Sequence, residues 1–333
     1  MSQSKIPPTL SAMPAHILEN IVKNTDFLTK LVLRKVKPLR KTVKNEITQV
    51  YQVGVYLQNE QHVVIRVTFT EKSPYDTDIF EYKQVDGGCL IEKGDFSKLI
   101  VDGDMNELIA ADLSLILANP LVTIDYLIFR HSWKVLREVP VGLALSTLLS
   151  KIEETILKKR SRTLNVITLT IEKTKEPADI FKMLPYVTPG VLKYLECSTD
   201  DEDIDVGLVK QLPHFEHLER LDGIFSNVTA DMWKQFEYMK SYEKYNSADI
   251  MVLIQAALDH GEDFSYYDFG VVDGFNIENL DEVVSHFAEP ESYRDDSKYI
   301  TMANGTDILF MQLFAYGQLK MSKMSRESFM LLD

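Results

Sequence analysis

Cys89 and Cys197 are the only cysteines in 333 residues, too few for a disulfide framework, which sets aside the stapled scaffolds of small secreted proteins. Long apolar runs are missing as well. The most apolar stretch, Leu108 to Phe129, is broken by Asp112, Asn119, Pro120 and Asp125, polar groups that hydrocarbon would leave unsatisfied, so no membrane span is expected. The start, MSQSKIPPTLSAMP, lacks the apolar core of a signal peptide. Together these absences point to a reducing compartment, cytosol or nucleus.

Chemical motifs are equally scarce. There is no G-x-x-x-x-G-K-S/T, no G-x-S-x-G and no H-E-x-x-H, and hence no expected phosphate cradle, hydrolase elbow or zincin helix. The acidic run Asp200, Asp201, Glu202, Asp203, Asp205 has no glycine at the turn position of a calcium loop and ends on Leu212 where a bidentate Glu belongs. Asp102, Asp104 and Asn106 fail alike, with Glu107 and Leu113 at those two places. His214 and His217 have the spacing of one helical face around Glu216, yet a metal requires a third ligand. The reading is a non-enzyme with no metal, no cofactor and no catalytic residue.

Positive charge is short beyond residue 50. Nine Lys/Arg against Glu19, Asp26 and Glu46 put residues 1–50 at +6, which from a total of -14 leaves -20 on residues 51–333. Such a surface repels a polyanion. The basic cluster Arg34, Lys35, Lys37, Arg40, Lys41, Lys44 contains no aromatic residue to stack on bases. No nucleic acid partner is expected; the cluster is either a solvated face or a docking surface for an acidic protein.

What the chain does have is 45% hydrophobic residues, ample for a packed core, in a length that suits about two domains. Pro14 stands where a first helical residue is favoured. Ile17, Leu18, Ile21 and Val22 then recur at helical spacing, Asn24-Thr25-Asp26 interrupts them, and Phe27, Leu28, Leu31 and Val32 resume. Arg34 to Val43 reads as a third short helix beginning or broken at Pro38. From Val50 the period becomes two. Val53, Val55, Leu57 and then Val63, Ile65, Val67, Phe69 predict a hairpin turning at Asn59-Glu60. Two strands flank Asp86-Gly87-Gly88, and a helix over about 106–117 stops at Asn119-Pro120.

Strands then alternate with helices under a shared L-x-x-L-x-L pattern. Leu121, Ile124, Tyr126 fit it, as do Leu164, Ile167, Leu169, then Leu192, Leu195, Cys197, and Phe264, Tyr267, Phe269. Two copies are weak: Leu218 and Leu221 end on Gly223, and the strand expected near Ser241 to Tyr245 is polar. Spacings of 28 and 26 from Ile167 through Leu195 to Leu221, then 46 to Tyr267, or two units of 23, fall in the range of about 20–29 residues typical of leucine-rich repeats; an ordinary α/β sheet is the competing reading. Ala178 to Leu184, Asp249 to Leu258 and Ile277 to Phe287 suit the intervening helices. Thr306 to Phe314 and Tyr316 to Met321 alternate as a closing hairpin. The expected architecture is α/β (α+β): a short three-helix module at 8–46, a β-rich start at 47–130, a leucine-rich-repeat-like strand-helix domain at 131–323, and a tail at 324–333.

The stretch Met13-Pro14, Ile17-Leu18, Ile21, Phe27-Leu28, Leu31, Leu33-Arg34-Lys35-Val36, Leu39-Arg40 resembles an F-box, in particular that of the large nematode F-box family carrying an FTH domain. Phe80-Glu81-Tyr82 with Gly88-Cys89, Leu117 to Pro120, the run Met183-Leu184-Pro185-Tyr186-Val187-Thr188-Pro189-Gly190-Val191-Leu192, Asp249 to Phe269, and Asn304 to Met321 are similar to that family's later segments. The resemblance implies a substrate receptor of an SCF ubiquitin ligase. Leu10, Met13, Pro14, Ile17, Leu18, Ile21, Phe27, Leu28, Leu31 and Val36 would meet the Skp adaptor, which joins cullin, and the C-terminal domain would hold a target for ubiquitination. By the repeat register the exposed strand positions that would choose the target are Thr168, Thr170, Tyr194, Glu196, Ser198, Arg220, Asp222, Tyr266 and Asp268, and the net -20 implies a target with a basic face. The sequence departs from the family pattern in having only Lys37-Pro38 between Val36 and Leu39. That shortening favours a second reading, a binding protein that sequesters its target as an antidote to a toxin protein or as a defence factor.

Overall fold

The computed structural model describes residues 13–23, 25, 33, 36, 39, 42–43, 49–69, 77–132, 142–200, 203–223, 225–287, 291–292 and 296–330. The chain falls into two compact units, Met1–Ile167 with Phe181–Val187 and Thr168–Ile180 with Thr188–Asp333. Both mix helices and strands, the α/β class expected.

In the first unit helix α1 (Ala15–Lys23) starts one residue later than Pro14, whose carbonyl accepts from the amides of Ile17 and Leu18. The helix ends where Thr25 Oγ1 donates to the Val22 carbonyl at 2.9 Å, competing with the helical ladder as threonine does. The second and third expected helices lie largely outside the described residues. Strands β1 (Gln49–Asn59) and β2 (His62–Thr68) form the predicted antiparallel hairpin. The meander continues through β3 (Thr77–Val85), β4 (Gly88–Lys93) and β5 (Phe96–Val101).

Helix α2 (Met105–Leu117) follows, capped by Asp104, whose Oδ1 accepts from the Glu107 amide at 2.8 Å. Capping is thus the use of the acidic spacing that resembled a failed calcium loop. Strand β6 (Thr123–His131) returns parallel to β1, giving the order β5-β4-β3-β2-β1-β6, and α3 (Gly142–Thr155) packs on α2. One sheet face, with Val53, Val55, Leu57, Val63, Ile65, Val67 and Phe129 at 3% exposure or less, is covered by helix: Tyr82 from β3 donates to Asp112 of α2 at 2.6 Å. The other face carries Gln52, Tyr56 and Arg130, half-buried, and Arg66, exposed.

Strand β7 (Asn165–Thr174) crosses the boundary between units. The second unit continues with α4 (Pro177–Ile180), β8 (Tyr194–Thr199), β9 (Ile204–Asp205), α5 (Val206–Lys210), β10 (Arg220–Gly223), β11 (Phe225–Ser226), α6 (Ala230–Trp233), β12 (Tyr238–Tyr245), α7 (Ser247–His260), β13 (Tyr266–Val271) and α8 (Ile277–Ser285). Strands β7, β8, β10, β12 and β13 lie side by side in chain order, each parallel to the last. Strands β9 and β11 pair separately. After β14 (Glu291–Ser292) and β15 (Ser297–Thr301), the hairpin β16 (Asp307–Phe314) and β17 (Gln318–Ser325) forms as predicted, β17 pairing antiparallel with β13. The segment expected as a tail carries the end of β17 and helix α9 (Arg326–Met330), whose Phe329 lies 4.9 Å from the Tyr299 ring.

The register corrects the repeat count. Leu169, not Ile167, stands opposite Leu195, so the buried ladder runs Leu169, Leu195, Leu221, Met239, Tyr267, every member at 1% exposure or less. A shift of two residues keeps side chains on the same face; of the positions expected exposed on that face, Arg220 is exposed, Thr170 and Asp268 are instead buried at 4% and 3% exposure because neighbouring strands close around them, and the rest are half-buried. Behind this ladder Trp233 is fully buried, its Nε1 donating to Tyr245 at 2.9 Å while Tyr267 donates its hydroxyl toward the carbonyls of Trp233 and Phe236 at 3.0 Å each. The run Met183 to Val187 turns at Leu184–Tyr186, and the Tyr186 carbonyl accepts from the Leu164 amide at 2.7 Å.

Candidate recognition surface

Strand alternation sends one set of side chains from the parallel strands away from the helices. Thr168, Tyr194, Arg220, Tyr238 and Tyr266 are successive cross-strand neighbours, with Ser322 of β17 next in the row. Two residues along the strands from that row, Thr170, Glu196 and Asp222 are neighbours, as are Lys240, Asp268 and Lys320 at the same level. Eight of the nine positions read from the sequence as target-facing therefore share two adjacent levels of one face, and Ser198, accepting from the Lys173 amide at 3.1 Å, lies two residues beyond Glu196 on that face.

The first row is a preorganised stack. The Arg220 guanidinium carbon sits 3.8 Å from the Tyr238 ring centroid, and the Tyr238 and Tyr266 rings stack at 5.3 Å with 28° between planes. Carboxylates hold it in place: Asp222 lies 3.8 Å from Arg220, and Tyr266 donates to Asp268 at 2.9 Å. Glu196 accepts from Thr170 at 3.0 Å. Burial, then the neighbouring Asp222 carboxylate, pushes the Tyr238 hydroxyl up to about 12; burial and Asp268 push Tyr266 up as well. Both phenols stay protonated donors at neutral pH.

Asp268 is the anomaly. It is 3% exposed, its Oδ1 has no hydrogen-bond partner, and burial raises its carboxyl above the usual aspartate range despite Tyr266 and Lys320 beside it. Beyond β13 a cleft of about 620 Å³ lies between the Val271–Ile277 and Leu313–Gly317 turns, where Tyr316, 70% exposed, stacks on Phe314 at 5.4 Å.

Sequence reasoning missed Tyr238, Lys240, Lys320 and Tyr316. Tyr238 and Lys240 belong to β12, which begins ahead of the polar Ser241 to Tyr245 stretch that stood for it; the alternation Tyr238, Met239, Lys240 was the available signal.

At the other end, Ile17 of α1 is 38% exposed and Pro14 exposed, Met13, Ile21 and Val36 are half-buried, and Leu18 (8%) and Val22 (0%) are interior. Leu10, Phe27, Leu28 and Leu31 lie outside the described residues. His214 and His217 lie on a short 3₁₀ turn rather than an α-helix, His214 its buried N-cap and His217 its exposed last residue. Both cysteines are buried and free. Among the described residues no group of three or more His, Cys, Asp or Glu is placed to hold a metal ion, and no helix is long and apolar enough to cross a membrane.

No family model and no curated protein matches the chain. Among solved structures a sporulation-specific glycosylase assignment, the ydhD protein of Bacillus subtilis, is returned at 13% identity over 85% of this chain and 92% of that one, with a TM-score of 0.18. A likeness that slight carries no argument about fold or activity.

Proposed function

We propose that the chain is a non-catalytic substrate receptor of an SCF-type ubiquitin ligase, with its N-terminal helices meeting the Skp adaptor and the open strand face of the second unit holding a target protein. The observation that supports this most is the row Tyr194, Arg220, Tyr238, Tyr266. Aromatic and arginine side chains dominate interface energetics because they bring large contact area with little rotamer freedom to lose, and here four of them stand in cross-strand register on leucine-rich-repeat-like strands. A receptor of this kind needs no nucleophile: holding a target lysine near a charged ubiquitin raises its effective concentration, and the assembly supplies the chemistry.

Sequestration of the target without ligase coupling is the second reading. The burial of Leu18 and Val22 favours it, since two apolar residues of α1 then have nothing to offer an adaptor. Retention of the full-length chain on immobilised, purified Skp adaptor separates the two. Retention that falls on Ile17→Asp supports the receptor; a chain that flows through while still capturing a target supports sequestration.

A further inference from the structure

We infer that the sheet face of the first unit opposite its helices carries a separate docking site, formed by Arg66, Tyr56 and Arg130, that takes an oxyanion borne on a partner polypeptide. Tyr56 leans back along β1 over Gly54, where even a Cβ would come within 2.4 Å of its ring. Gln52 Nε2 donates to the Tyr56 hydroxyl at 2.7 Å, leaving the phenolic O–H to donate elsewhere. Register places Arg66 of β2 opposite Gly54 and Arg130 of β6 opposite Tyr56, and their guanidinium carbons lie 5.2 and 5.3 Å from the Tyr56 ring centroid.

A cation–π contact uses the face of a guanidinium and leaves its in-plane N–H donors for an oxyanion. Neither arginine forms an ion pair among the described residues, although Lys83, Lys93 and Lys151 of the same unit each do. Arg130 Nε is shielded from solvent and has no acceptor. Two cations side by side without an ion-pair partner among the described residues, in a chain of net charge -14, are electrostatically placed for an anion that brings its own charge. The -20 on residues 51–333 opposes a polyanion, so the occupant is one acidic residue or phosphate ester on a protein rather than nucleic acid.

The test uses the immobilised full-length chain and three degenerate peptide libraries identical except for a central glutamate, phosphoserine or glutamine. The glutamate or phosphoserine library is expected to be retained about tenfold better than the glutamine library, with the advantage lost on Arg66→Gln and fading with salt. Arg66 is exposed, so this variant keeps its melting temperature and decides the matter even if Arg130→Gln fails to fold. Retention of the glutamate library assigns a carboxylate, and of the phosphoserine library alone a phosphate ester. Equal retention of the glutamine library, or retention indifferent to Arg66→Gln, overturns the site; Arg66-dependent binding of oligothymidylate in preference to every peptide overturns its assignment to a protein partner.

Discussion

Asp268 and Gly223 show what single residues concede to the strand face proposed for recognition. A carboxyl whose value in the fold is raised stabilises the fold while protonated and loses that contribution as pH climbs through the raised value. Asp268 is in that position because burial outweighs the hydrogen bond from Tyr266 and the nearby lysines. Asp268→Asn is expected to raise the melting temperature at pH 7, and the gain to shrink as pH falls through the raised value toward 3.8, the ordinary aspartate value, below which it is gone; thermal scans from pH 7 down to that value read it. The same substitution should weaken target capture, since residues kept at a cost in stability cluster where they serve binding. Gly223 looked like a missing apolar residue in a poor repeat copy. In the fold a Cβ there would meet the Cys197 carbonyl of β8 at 2.1 Å, so glycine is what lets β10 pair this closely. Gly223→Ala should cost about 1–3 kcal/mol, the usual range for overpacking against a backbone that must shift, measurable as a lower urea midpoint with unchanged slope.

Elements were legible in the sequence where local periodicity and side-chain fate agree. The β1–β2 hairpin, α2, α7, α8 and the β16–β17 hairpin stand close to where Val53 to Phe69, the 106–117 run, Asp249 to Leu258, Ile277 to Phe287 and Thr306 to Met321 put them. Legibility fails at β12, where the buried positions go to Met239 and Ser241 and the aromatic Tyr238 faces out, a pattern that mimics a loop. It fails also in the register of β7, because Ile167 and Leu169 are equally apolar and only cross-strand pairing selects the second. Which strand residues share the face away from the helices was readable despite this, since a strand's period of two preserves the alternation; how deeply Thr170 and Asp268 are buried there was not. Helix α1 offers a contrast within one element. Ile17 is 38% exposed and Val22 fully buried: Ile17→Asp is expected to leave the urea midpoint within about 0.5 kcal/mol, as surface changes do, while lowering adaptor retention, whereas Val22→Asp should unfold the unit by burying an unpaired charge.

For the whole molecule the uneven charge sets the terms of association. With -20 on residues 51–333, capture of a target having a basic face should weaken as salt rises from 50 to 500 mM, on the order of the Debye length contracting from above 10 Å to below 5 Å; strengthening with salt would exclude such a target. Arg220→Ala should cost target binding about 2 kcal/mol or more, as an exposed arginine held in place on the Tyr238 ring, without moving adaptor retention, because α1 and Arg220 belong to separate units. The proposed receptor role requires that independence: one surface for the ligase, another for the protein to be marked.

Proximity labelling from the full-length chain in cells, with and without proteasome inhibition, tests this most directly. The account predicts that the Skp adaptor and cullin are labelled in both conditions, and that at least one further protein rises on inhibition for the native chain and is absent for the Arg220→Ala, Tyr266→Ala variant. Labelling that includes no adaptor, together with a protein set unchanged by the variant, would contradict it.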